Sequence, residues 1–273
     1  MTIRSSDSDW PPKPMLDTTV AHSARIWNYL LGGKDNYAID REVADQMAEA
    51  FPGIRDIARQ QRQFLFRAIR YLVTEAGIRQ FLDIGTGLPT ANNTHEIAQG
   101  IVPQSRIVYV DNDPLVLVHA RALLTSHPEG ATDYIDADVR DPDKILREAA
   151  STLDLTQPIA VIMLGVLGHL PDSDHPHEIV GQLVGGLPSG SYLVLNDGTD
   201  TDSVVLEATE SSFQGPDSAS PYYLRSREQI TRFFDGLELV EPGMVPPPRW
   251  RPDPSARDDS AESVDYAGVG RKP

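Results

Sequence analysis

From residue 79 onward the chain alternates short apolar runs with helical segments, and no other feature constrains its fold as tightly. The runs predict strands at 80–84, 106–110, 133–135, 159–164 and 191–195. Helical spacing fills the gaps at about 92–100, 114–126, 141–150, 174–187 and 201–213. Repeated strand–helix alternation requires a parallel sheet with helices on both faces. After Ser226 a short helix, REQITRFF, leads to a strand at 237–240, a proline-rich loop, PGMVPPPRWRPDP, and a last strand near 263–269. That ending suits an antiparallel edge strand added to a parallel sheet. The expected architecture is α/β: a doubly wound, mostly parallel, seven-stranded sheet with an antiparallel edge strand.

Ahead of the sheet, residues 1–17 are polar and proline-rich and predict an arm. Helical spacing follows at about 20–31, at 39–51 and through 53–77, where Ile57, Phe64, Leu65, Ala68, Ile69 and Leu72 recur at three- and four-residue steps. Gly77 is the stop. The expected organisation is an arm (1–17), an N-terminal helical region (18–77) and the sheet domain (78–273).

Composition narrows the function. A net charge of −16 argues against a nucleic-acid partner, because phosphate binding needs clustered cations. The chain has no cysteine, which removes disulfides, thiolate catalysis and cysteine-ligated metals. The N-terminus lacks the apolar core of a secretory signal. The longest apolar run, around 159–164, is far shorter than the roughly 20 residues that span a bilayer. The expectation is a cytoplasmic protein without a membrane or nucleic-acid partner. Its oligomeric state is not readable.

The strongest local signal is FLDIGTGLPT at 81–90, a buried strand running into a glycine-rich turn before a helix. Gly85 and Gly87 let the backbone turn tightly and approach a ligand. The dinucleotide fingerprint G-x-G-x-x-G is incomplete, since Thr90 takes the third glycine position and Pro89 sits inside the turn. An acid at the strand end, Asp83, suits a cationic ligand and would repel a diphosphate. The alternative is an ordinary tight turn with no ligand. At the end of the next strand, VDNDP puts Asp111 where doubly wound sheets place an acid on a ribose. Asp113, directly before Pro114, is the better helix cap and leaves Asp111 for the ligand. After the third strand, DADVRDP supplies Asp138, either an adenine contact or a loop acid. Three acids thus mark three consecutive strand ends on one edge of the sheet.

Together, DIGTG, VDNDP and DADVRDP resemble motifs of the class I, Rossmann-like S-adenosylmethionine-dependent methyltransferases. With ARIWNYLLGGKDNY, IVYVDNDPLVLVHARALL and FFDGLELVEPGMV, the chain over about 15–270 is similar to a bacterial S-adenosyl methyltransferase family formerly classed as a domain of unknown function. The resemblance implies S-adenosyl-L-methionine (SAM) as cofactor, held by Asp83, Gly85, Thr86, Gly87, Asp111, Asn112, Asp138, Val139 and Leu164, with no metal. It also implies that residues 18–77 cover the cofactor site. The acceptor is expected to be a small molecule methylated on oxygen or nitrogen; the alternative is a SAM-binding regulatory protein that transfers no methyl group.

The loop after the fourth strand, MLGVLGHLPD, lacks the (Asn/Asp/Ser)-Pro-Pro-aromatic motif of many base and glutamine N-methyltransferases. His169 there is similar to the general base of some small-molecule O-methyltransferases; the alternative is a histidine at a helix start bonded to backbone. His175 and His177 flank a proline at a helix start and read as solvent-facing. Asn196 and Asp197 are expected to border the pocket, and Tyr222 and Tyr223 to touch substrate. In ARIWNYLLGGKDNY the glycines end the helix without explaining the polar residues that follow. There Arg25, Tyr29, Gly33, Lys34, Asn36 and Tyr37 are expected to contact the methionine end of the cofactor or the acceptor. The alternative is a plain helix cap with surface charges. A phosphate loop is excluded, because the glycines are adjacent and Asp35 follows Lys34.

Overall fold

The structure, a computed structural model, describes residues 17–90, 92–123, 125–201, 221–253 and 263–273. Among them, seven strands form one sheet: β1 (Gln80–Ile84), β2 (Arg106–Asp111), β3 (Ala131–Asp136), β4 (Ala160–Leu164), β5 (Tyr192–Gly198), β6 (Glu238–Leu239) and β7 (Asp265–Arg271). Their order is β3-β2-β1-β4-β5-β7-β6. β1 to β5 run parallel, and β7 is antiparallel to both β5 and β6. The winding reverses between β1 and β4, which opens a crevice above the carboxyl ends of those strands.

Among the described residues the α-helices are α1 (Ser23–Leu30), α2 (Ala38–Ala50), α3 (Ile54–Thr74), α4 (Thr94–Ile101), α5 (Pro114–Leu123), α6 (Pro142–Ala149), α7 (Pro176–Gly185) and α8 (Arg227–Thr231). Because side chains alternate along a strand, the sheet has two apolar faces. Leu82, Val108, Val161 and Leu193 pack against Ile145 of α6 and Leu183 of α7. Phe81, Ile107, Ile162 and Val194 pack against Phe64, Ala68 and Leu72 of α3. Burial on both faces explains why the strands read as continuous apolar runs rather than alternating ones.

The long helix α3 therefore belongs to the layer directly on the sheet. Its first turns also meet α1 and α2, where Ile26, Leu30, Ala44, Met47 and Ala58 form a smaller core of their own. Two short helices thus sit over the edge of the sheet, fastened by their own apolar contacts.

β5 runs three residues past its expected end. Asn196 and Asp197 read as loop by composition, yet they pair with Ala267 and Tyr266 of β7 and are 1% and 2% exposed. The antiparallel partner satisfies their backbone, so two polar side chains are drawn into the sheet. The helix expected at 201–213 and the arm at 1–17 fall, apart from Thr201 and Asp17, outside the described residues.

Candidate active site

The carboxyl edge of the sheet opens into a cleft of about 350 Å³. Beneath it, the turn after β1 carries Gly85 and Gly87, both at φ +66°. A Cβ on Gly85 would collide with Val166 of the β4 loop, whereas one on Gly87 would meet nothing within 4 Å. Gly85 is therefore small for packing, and Gly87 leaves bare backbone facing the cleft.

Asp111 ends β2 opposite this turn. Its Oδ2 accepts the Gly87 N–H at 2.8 Å and its Oδ1 the Asp113 N–H at 2.9 Å. Burial holds its carboxyl above the usual carboxylate range. Asp113 accepts the Leu115 N–H at 2.9 Å, the helix-start bond expected of it. Asp83 faces α3 and α4 and accepts the Thr94 hydroxyl at 2.5 Å. Burial pushes its carboxyl up to about 6, while Thr94 and the nearby Arg62 charge pull it back down. Asp138 is engaged on the rim: Arg140 Nη1 lies 3.2 Å from its Oδ2, and the Arg140 N–H donates to its Oδ1 at 2.9 Å.

Asp83, Gly85, Thr86, Gly87 and Asp111 line the cleft, and so do Asn112, Asp138, Val139, Leu164 and His169. The residues expected there from the α1 segment, Arg25, Tyr29, Gly33, Lys34, Asn36 and Tyr37, do not, and here the structure departs from expectation. Arg25 is buried at 6% exposure, its Nε 3.3 Å from Asp113 Oδ2 and its Nη1 3.8 Å from Asp40 Oδ2. The Tyr29 hydroxyl donates to Asp45 at 3.2 Å. Tyr37 lies beneath the Arg25 guanidinium, and Lys34 is exposed. Gly33 and Asn36 fold back around Asn28: the Gly33 N–H donates to the Asn28 carbonyl at 2.8 Å, and Asn36 Nδ2 to Asn28 Oδ1 at 3.0 Å. The exit is a clasp on Asn28, and the helix offers the cleft its other face, through Ala24, Trp27 and Asn28.

Sequence reasoning also missed a second wall. Ala58, Gln61, Arg62 and Leu65 of α3 line the cleft. Their steps of three, four and seven residues are one helix face, a signal that was readable. Behind Gln61 stands a buried polar cluster. Gln61 Nε2 donates to Asp265 Oδ2 at 2.6 Å, and Asn196 Nδ2 donates to the same oxygen at 2.7 Å. Burial pushes Asp265 up to about 7 and Asp197 up to about 6. Neither Asn196 nor Asp197 lines the cleft; Asn196 braces the Asp265 carboxylate that holds Gln61, and Asp197 holds the Tyr222 hydroxyl.

His169 combines the two alternatives. Its Nδ1 sits 2.9 Å from the Pro221 carbonyl, and its ring lines the cleft. A carbonyl only accepts, so in the neutral ring Nδ1 carries the hydrogen and Nε2 is the basic nitrogen. Burial keeps the ring's pKa below the usual histidine value. The Tyr222 hydroxyl bonds Asp197 and its ring meets His169 edge-on, while the Tyr223 N–H donates to the Gly168 carbonyl at 2.6 Å. Neither tyrosine lines the cleft. His177 stacks on Phe233, and His175 turns to Glu178.

This geometry accords with what the chain is similar to. The sequence matches the model of the S-adenosyl methyltransferase family over residues 9–273. The chain belongs to the S-adenosyl methyltransferase family. It is therefore a SAM-dependent methyltransferase, with SAM as its cofactor. A crystal structure of a DUF574 family protein from Streptomyces avermitilis is 44% identical and superposes with a TM-score of 0.87, covering 94% of this chain and 99% of that one. A Thermobifida fusca protein classed as a methyltransferase is 40% identical, with a TM-score of 0.86 and coverage of 97% and 99%. At 11% identity and a TM-score of 0.50, human N-acetylserotonin methyltransferase, solved with SAM, shares the fold over 91% of this chain and 66% of its own. None of the curated proteins compared with this methyltransferase matches it.

The cleft of the methyltransferase fits such a cofactor by its donor set. Asp83 and Asp111 set two acids where a diphosphate would be repelled. Gly87 exposes backbone there, and Arg62 stands beside Asp83 as a cation. One acid with one cation is the complement of an amino-acid zwitterion.

Proposed function

We propose that this methyltransferase methylates an oxygen or nitrogen of a small molecule, in the cytoplasm. The observation that carries the reading is His169, lining the cleft with its tautomer fixed by Pro221. Asp83 and Arg62 would hold the ammonium and carboxylate of the cofactor's methionine end, the Gly85–Thr86–Gly87 backbone its neighbouring atoms, Asp111 and Asn112 the ribose, and Asp138 and Val139 the adenine. When bound, SAM supplies an electrophilic methyl group with a good leaving group, so the protein need not provide a nucleophile. Its own tasks are alignment and exclusion of water. His169 Nε2 would take the proton of a hydroxyl or protonated amine acceptor. Leu164 and Leu65 supply apolar wall, and Gln61, held by Asp265, presents its amide carbonyl as a positioning group for that acceptor.

Small size of the acceptor is supported by the α1 roof, and an acidic surface disfavours nucleic acid. Among the described residues no helix is long and apolar enough to cross a membrane. Calorimetric titration with SAM, S-adenosylhomocysteine and NAD should show heat for the first two only. Incubation with methyl-labelled SAM and fractionated extract should place label in the small-molecule fraction; label confined to macromolecules would overturn the reading. His169→Asn should then lower turnover on a hydroxyl acceptor by roughly 10²–10⁴-fold with S-adenosylhomocysteine affinity unchanged.

A further inference from the structure

His22 lines the cleft and has no part in the chemistry proposed above. It stands directly ahead of α1, beside Ser23 and Ala24, which also line the cleft. Its N–H donates to Asp40 Oδ1 at 3.0 Å, and its Nδ1 stands 3.2 Å from Asp113 Oδ2. The side chain is 31% exposed, and among the described residues Nε2 makes no hydrogen bond.

Its surroundings leave a charge out of balance. Asp40 and Asp113 are both fully buried. Among the described residues the permanent cation paired with them is Arg25, whose Nη1 and Nε reach the two acids at 3.8 and 3.3 Å. Two carboxylates against one guanidinium leave one negative charge in excess while His22 is neutral, and none once it is protonated. Asp113 Oδ2 is also unsaturated, since Arg25 and His22 stand at ion-pair distance from it and neither closes a hydrogen bond. An uncompensated buried charge is costly, and histidine is the side chain that changes charge near neutrality. The excess therefore calls for one positive charge, from His22 or from what occupies the cleft beside it.

His22 is within electrostatic reach of both Asp111 and His169. Its charge opposes the burial that raises the Asp111 carboxyl and adds to the burial that lowers the His169 ring. With the ribose on Asp111 and the methyl group beside His169, the cofactor's sulfur falls within the same reach. SAM carries one positive charge more than S-adenosylhomocysteine, because its sulfur is a sulfonium. On transfer the acceptor atom bonds the methyl carbon, the C–S electron pair stays on sulfur, and the acceptor gives up a proton. The charge lost by sulfur thus reappears as that proton. Burial disfavours keeping it on His169, whereas a part-exposed ring against Asp113 can hold it.

We infer that His22 balances the charge of the transferred methyl group: it is neutral while the sulfonium occupies the cleft and protonated once the sulfur has become a thioether. One positive charge then stays beside Asp113 throughout, and the product complex holds a proton that the substrate complex lacks. The inference rests on the cofactor placement proposed above and needs no knowledge of the acceptor.

The test is calorimetry on the full chain with SAM and with S-adenosylhomocysteine, in buffers of different ionisation enthalpy at about pH 6.5, the midpoint of an ordinary histidine. S-adenosylhomocysteine should take up more protons than SAM, by up to one per site. Its advantage over SAM should grow as pH falls, by up to about tenfold per pH unit. The Asp83 contribution cancels in that ratio, because both ligands carry the same ammonium group. His22→Asn keeps a donor toward Asp113 and a good helix cap, and should remove the difference in proton uptake. His169→Asn should retain it, which assigns the proton to His22. In the wild-type protein alone, the His22 Hε1 resonance should titrate at higher pH with S-adenosylhomocysteine bound than with SAM. Equal proton uptake for the two ligands, a difference that survives in His22→Asn, or an Hε1 titration indifferent to the ligand would overturn the inference. Such results would leave the acceptor reading standing, while label found only in macromolecules would overturn that reading and leave this one.

Discussion

Asp83 is asked to be a carboxylate in a place that favours the carboxylic acid. A cationic ligand binds the ionised form, so below its value of about 6 binding must first release a proton. Affinity for SAM should therefore fall by up to about tenfold per pH unit below that point. Asp83→Asn should bind more weakly and show a flat profile over the same range. Calorimetry on both proteins checks this, and parallel profiles would remove Asp83 from the cofactor's contacts. Asp111→Ala should cost about 1–3 kcal/mol of SAM affinity, the scale of hydrogen bonds to a charged group. The strand-end acids were legible because each stands at the end of an apolar run whose order in the sheet can be foreseen. The spacing that puts Gln61 and Arg62 on one face of α3 was readable too. That this face meets the cleft was not, nor was the role of Asn28, because which helix face meets the sheet is a matter of long-range packing.

At the scale of elements, α1 is held by a buried ion pair that joins it to the loop after β2. The two side chains of that pair, Arg25 and Asp113, are 8% and 2% exposed. Removing one member leaves the other charged and dry, so Arg25→Ala should destabilise the protein by roughly 3 kcal/mol. The loss should be local first. Hydrogen exchange should show α1 and α2 losing protection while β1, β2 and β4 keep theirs; uniform loss would mean the roof and sheet unfold as one unit. The same pair shows where the sequence misleads. Polar residues crowd the α1 exit, and their number suggested a ligand, but they serve to close a clasp on Asn28 and to cap α2. Asn196 and Asp197 mislead in the opposite sense. Composition made them loop residues, whereas pairing with β7, remote in sequence, makes them strand.

For the whole molecule, the buried carboxyls bear on how stability depends on pH. Asp83, Asp197 and Asp265 all titrate higher in the fold than in the unfolded chain, at about 6, 6 and 7. Groups raised in this way favour the fold at pH below their unfolded value and lose that contribution as pH rises through the folded one. Asp265→Asn removes the largest such loss, so between about pH 5 and 8 its melting temperature should decline less than wild type, by an amount worth roughly 1–4 kcal/mol. Identical declines in the two proteins would show that Asp265 keeps its ordinary value. A last consequence concerns time. The helix that lines the cleft is riveted to the loop just after Asp111, so with the cofactor in that cleft as proposed, its release would wait for that rivet to open. Turnover at saturating substrate should then slow with solvent viscosity, and weakening the Arg25–Asp113 link should shorten the residence of S-adenosylhomocysteine. In this enzyme the roof would be the clock.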